Sequence, residues 1–94
     1  MWINDVIWLD QVVDKIERKH QVFPDEVLEV FYNSPHYRKA EKGKIAGEDL
    51  YYAYGRTDDG RNLLVVFIYK SNREALVISA RDMDSKERKR YAKK

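Results

Sequence analysis

The chain has no cysteine. That excludes disulfide staples, a thiol nucleophile and any zinc site built on thiolates, and it fits a reducing cytoplasm. Glycine and proline are scarce, at four and two residues, and Gly43 and Gly47 lack the strand, glycine-rich turn and helix frame of a phosphate-binding loop. The two histidines, His20 and His36, stand apart and outside any HExxH context, so no metal site is expected, and no serine sits in a nucleophile elbow. Long apolar runs are missing as well. The longest, Leu63 to Tyr69, has seven residues, against the ~20 that span a bilayer. Asp5 also stands where a signal peptide would be basic, so secretion and membrane contact are not expected.

What is present is a folding composition: 94 residues, 44% apolar and 13% aromatic, read as one domain over 1–94. Its core must be small, because a chain this short buries only roughly 60–65% of its unfolded surface. The net charge of +2 hides a division along the chain: residues 1–36 carry −4, residues 37–80 carry +2 and residues 81–94 carry +4. A basic end of this kind is either a nucleic-acid contact or a solvated tail.

Trp2 to Leu9 is apolar except for Asn4 and Asp5, which predicts a short edge strand. Asp10 is placed to cap a helix running to about Lys19, with Val12, Val13 and Ile16 as its apolar stripe. Pro24, followed by Asp25 and Glu26, opens a second helix, with Val22 stapled onto Val27; Asn33, Ser34 and Pro35 end it. The two helices are expected on one sheet face. His36 to Asp49 reads as a short strand and a mobile loop holding Lys42 and Lys44. Strands follow at Leu50–Arg56, Leu63–Tyr69 and Ala75–Ala80, joined by Thr57-Asp58-Asp59-Gly60 and Ser71-Asn72-Arg73 as an antiparallel meander. Asp84 and Glu87 form a capping-box pattern for a last helix, Ser85 to Lys93, with almost no apolar stripe. The fold class is α+β.

The residues able to do chemistry gather late in the chain. On unbulged strands, Leu50, Tyr52, Tyr54 and Arg56 share one face, and so do Val77, Ser79 and Arg81. Arg56 and Arg81 are then either phosphate ligands or strand-ending residues paired with acids such as Asp58 or Asp82. On the last helix Glu87, Arg90, Tyr91 and Lys94 recur at i, i+3, i+4 and i+7, with Arg88 beside them. Cleaving RNA without a metal requires a proton taken from the 2′-hydroxyl, a neutralised phosphorane and a proton given to the 5′-oxygen. Arginine suits the second task, and Glu, His or Tyr the other two. An exposed helix with solvated arginines is the plain alternative.

Ile78-Ser79-Ala80-Arg81, with Glu87-Arg88-Lys89-Arg90-Tyr91 after a short gap, resembles the C-terminal signature of the BrnT family of type II toxins. Lys19-His20-Gln21-Val22-Phe23 is similar to that family's Lys-His-Gly-Val-Ser/Thr block, and Gly55-Arg56-Thr57 with Gly60 to its central segment. Gln21 stands where the family has glycine. The resemblance implies a RelE-like twisted antiparallel sheet with two N-terminal helices and a polar C-terminal helix. It also implies a metal-independent, cofactor-free endoribonuclease neutralised by a BrnA-like antitoxin, as a homodimer or a toxin-antitoxin assembly. It assigns Arg81 to the phosphate, Arg56 to the same or an adjoining phosphate, Glu87 or His20 to proton transfer, and Tyr91 to stacking or to positioning Glu87. Lys86, Arg88, Lys89 and Arg90 become the candidate RNA contacts. A catalytically inactive module that binds a protein partner and nucleic acid is the alternative, with gyrase inhibition a third reading.

Overall fold

Among the described residues five strands and three helices follow in the order β1 (Asp5–Ile7), α1 (Asp10–His20), α2 (Pro24–Tyr32), β2 (His36–Glu41), β3 (Asp49–Arg56), β4 (Asn62–Tyr69), β5 (Glu74–Asp82) and α3 (Ser85–Ala92). This computed structural model describes residues 1–41, 43 and 48–92. Most of the expected loop, with Lys42 and Lys44, and the helix end at Lys93 and Lys94 lie outside the described residues. No described helix is long and apolar enough to cross a membrane.

The sheet order is β1-β5-β4-β3-β2. β2 to β5 form the expected antiparallel meander, but β1 pairs in parallel with β5, Asp5 opposite Glu74. The sheet is therefore mixed, not wholly antiparallel. α1 and α2 carry the chain across the sheet from one edge to the other, and β1 meets a strand whose direction the meander has already set. β1 is an edge strand as expected, yet only Asp5–Ile7 is strand within the apolar stretch.

α1 and α2 cover one face. Ile16, Val22, Val27, Val30, Leu63, Val65, Phe67 and Val77 are fully buried there, and Phe31 meets Phe67 edge-on with ring centroids 5.3 Å apart. Val22 and Val27 flank the start of α2 as the expected staple. Phe23 occupies the N-cap and has no side-chain acceptor, but its backbone N–H donates to Glu26 Oε1 at 3.1 Å. At α1 the N-cap is Leu9, not Asp10; Asp10 lies inside the first turn, where its charge meets the helix dipole.

Two local departures from regular geometry matter. Val66 pairs with Ser79 but Phe67 with Val77, so Ile78 is an extra residue that bulges β5. Lys15 Nζ donates to the Ile78 carbonyl at 3.2 Å, giving that oxygen a partner. The bulge overturns the expectation that Val77, Ser79 and Arg81 share a face. Val77 and Ala80 pack beneath the helices, whereas Ser79 and Arg81 pair with Val66 and Leu64 of the opposite face. The second departure ends α1: Gln21 adopts a left-handed backbone, φ 52°, and lets the Val22 N–H donate to the Ile16 carbonyl at 3.0 Å. Glycine holds that conformation without the strain of a Cβ. Gln21→Gly is therefore expected to raise stability by about 0.5–1 kcal/mol in urea denaturation; a loss of stability would contradict the strain.

Candidate active site

The end of β5 presents two consecutive charges to opposite layers, as alternation along a strand requires. Arg81 faces α3 and grips Glu87 with both terminal nitrogens, Nη1 to Oε1 at 2.8 Å and Nη2 to Oε2 at 2.9 Å. Glu87 completes the capping box of α3: its Oε1 accepts the Asp84 N–H at 2.9 Å, and its own N–H donates to Asp84 Oδ1 at 2.8 Å. Nothing on α3 is fully buried. Its attachment rests on this carboxylate, on Arg88 donating to the Met83 carbonyl at 2.9 Å, and on Tyr91 packed against the buried cluster of Tyr54, Leu64 and Met83.

Asp82 goes the other way. Arg61 holds it through Nε at 2.8 Å and Nη2 at 3.0 Å, and also reaches Glu26 and the carbonyls of His20 and Gln21. One guanidinium thus ties the end of α1, the start of α2 and the end of β5 together. The acids considered as partners for the strand-ending arginines fall out differently: Asp82 belongs to Arg61, Arg81 takes Glu87, and Arg56 donates to Asn62 Oδ1 at 3.1 Å.

Between β2, β3 and α3 lies a cavity of about 350 Å³ lined by His36, Arg38, Tyr54, Glu87, Arg90 and Tyr91. Across His36 and Tyr91 it adjoins a second hollow reached by Arg56. Arg38 and Arg90 have no carboxylate partner among the described residues, so both guanidiniums are available to an anion. Hydrogen bonding from Arg81 holds the Glu87 carboxyl below the usual carboxylate range, so it is ionised at neutral pH. Burial pushes the Tyr54 phenol up, keeping it protonated and a donor. Among the described residues no three His, Cys, Asp or Glu side chains come close enough to hold a metal ion.

The family model for BrnT, ribonuclease toxin of type II toxin-antitoxin systems, matches residues 8–87. The chain belongs to the BrnT family. Membership implies a ribonuclease toxin, with RNA as its target and an antitoxin protein as its partner. No curated protein matches the chain.

The matched region of this BrnT protein includes Arg56, Arg81 and Glu87, while Arg90 and Tyr91 lie beyond it on the same helix. The structure brings Arg81, Glu87, Arg90 and Tyr91 together and sets Arg56 alongside. His20 is elsewhere: it ends α1 beneath Arg61, near Asp82, and lines neither hollow. Lys86, Arg88 and Lys89 sit on α3 outside the cavity lining. Sequence reasoning missed His36, Arg38, Tyr54 and Arg61. The signal for the first two was their alternation in His36-Tyr37-Arg38, which puts both on the face of Tyr52 and Tyr54.

Glu87 and Asp82 both titrate below their unfolded values of 4.5 and 3.8, through Arg81 and Arg61 respectively. A depressed carboxyl gives stability that is complete above its unfolded value and is lost as pH falls through the folded one. Acid denaturation followed by circular dichroism should show stability falling as pH drops below about 4.5. Glu87→Gln should cost about 1 kcal/mol at neutral pH and flatten that fall; an unchanged acid profile in the variant would remove Glu87 as the anchor of α3.

Proposed function

We propose that this BrnT protein cuts RNA by metal-independent transesterification in the cavity between β2 and α3, on a RelE-like scaffold, and that a BrnA-like antitoxin neutralises it in the cytoplasm. The convergence of His36, Arg38, Tyr54, Arg90 and the Arg81–Glu87 pair on one open face carries the reading. The ribose 2′-oxygen attacks phosphorus and gives its proton to His36, imidazole being the side chain suited to proton transfer near neutrality. Arg38 and Arg90 hold the phosphoryl oxygens, with Arg81 adding positive charge beside them. The bond from phosphorus to the 5′-oxygen breaks, and that oxygen takes the Tyr54 proton. The products are a 2′,3′-cyclic phosphate and a free 5′-hydroxyl.

This assignment moves the phosphate contact from Arg81 to Arg38 and Arg90, leaves Arg81 beside them through its pairing with Glu87, and gives Arg56 an adjoining phosphate. Proton transfer moves away from the first two candidates. Glu87 already accepts three hydrogen bonds and is held ionised by them, which suits a residue that positions Arg81. His20 lines neither hollow, and its carbonyl accepts from Arg61, which pairs with Asp82.

Purified protein with a chelator and an RNA oligonucleotide should yield cyclic phosphate ends, and added antitoxin should stop the reaction. Arg81→Ala, Arg90→Ala and His36→Gln should each lower the rate by about 10²-fold or more. Cleavage that requires a divalent metal would overturn the mechanism, and folded variants cutting at the wild-type rate would overturn the residue assignment.

A further inference from the structure

We propose that Tyr52 and Arg38 form a stacking subsite for a nucleobase, and that this site selects unpaired over duplex RNA; the proposal rests on the reading of the neighbouring cavity as the cleavage site. The register of the meander lays two rows of side chains across the α3 face. One runs His36, Tyr54, Leu64, Arg81, and the next runs Arg38, Tyr52, Val66, Ser79. Tyr91 of α3 packs on the middle of the first row, where Tyr54 and Leu64 are buried, and the cavity opens beside it at His36 and Tyr54. In the second row Tyr52, Val66 and Ser79 are half-buried and Arg38 is exposed.

Tyr52 is held in place. Tyr54 meets it edge-on, perpendicular, with centroids 6.1 Å apart, and the Arg38 guanidinium stands 5.9 Å from its ring centre. Two van der Waals layers need about 7 Å, each contact being about 3.5 Å. The gap is therefore short of a planar base by about 1 Å, which a small swing of the exposed Arg38 side chain provides. A base would then lie between a phenol ring and a guanidinium plane, both of which stack on any base.

Arg38 also lines the cavity, so one side chain touches the base on one side and the phosphate region on the other. The rows are two residues apart along the strand, about 7 Å, close to one nucleotide of an extended strand. Bases in an A-form duplex are stacked inside the helix and cannot enter such a slot, whereas a single strand can splay one out.

Binding can be read apart from cleavage with a fluorescent 2′-O-methylated RNA oligonucleotide, which lacks the nucleophile. In anisotropy titrations the wild type should bind the single strand tightly and the duplex of the same sequence weakly. Tyr52→Phe should bind as the wild type, and Tyr52→Leu should lose about 5- to 100-fold. An abasic position in the oligonucleotide should reproduce that loss with the wild type and add nothing to Tyr52→Leu. The subsite is overturned if folded Tyr52→Leu binds RNA as the wild type while Arg90→Ala does not, if duplex and single strand bind equally, or if Tyr52→Leu weakens only the antitoxin complex. Absence of RNA binding by the wild type would instead overturn the reading of the cavity, and the subsite with it.

Discussion

The extra residue in β5 decides on which side of the sheet Arg81 lies. In a regular strand Arg81 would share the face of Val77 and point into the packed layer beneath α1 and α2, where a guanidinium has no place. The bulge at Ile78 reverses the alternation, sets Arg81 on the opposite face beside Leu64, and so gives Glu87 a partner. α3 depends on that encounter, because it lacks the apolar stripe that holds an ordinary helix to a sheet. Lys15 completes the device from the other layer by binding the bulge carbonyl.

Two arginines divide the ionic work at the end of β5. Arg61 is structural: its fork is filled by Asp82, by Glu26 and by two backbone carbonyls, and it closes the helical layer onto the sheet. Arg81 performs the matching task for α3. With these two cations paired to carboxylates, the guanidiniums that line the cavity are Arg38 from an edge strand and Arg90 from the helix, with Arg56 in the adjoining hollow. Positive charge at the cavity is thus drawn from two separate elements, β2 and α3.

Much of the fold was legible because it is governed by local pattern. The stripe of Val12 and Ile16, the Pro24 start of α2, the Asp84–Glu87 box and the turn at Gly60, with its φ of 86°, all follow from chemistry within a few residues. What was not legible depends on distant partners. The parallel pairing of β1 is fixed by β5, and the bulge by how β5 sits on β4 and by Lys15. The candidate site divides along the same line: Glu87, Arg90 and Tyr91 share a helix face by their spacing and Arg81 was singled out by the family resemblance, whereas the face on which Arg81 lies depends on the bulge, and His36, Arg38 and Tyr54 become neighbours of α3 only through cross-strand register.

The parallel ladder that sets Asp5 against Glu74 also bears on how the protein reaches its folded state. Contacts between opposite ends of a chain are slow to form, since a large loop must close before they return any energy. A fragment stopping short of β5 has neither the strand that receives β1 nor Arg81 and Glu87. Partial products of interrupted synthesis would therefore lack both the parallel ladder and the Arg81–Glu87 pair that holds α3.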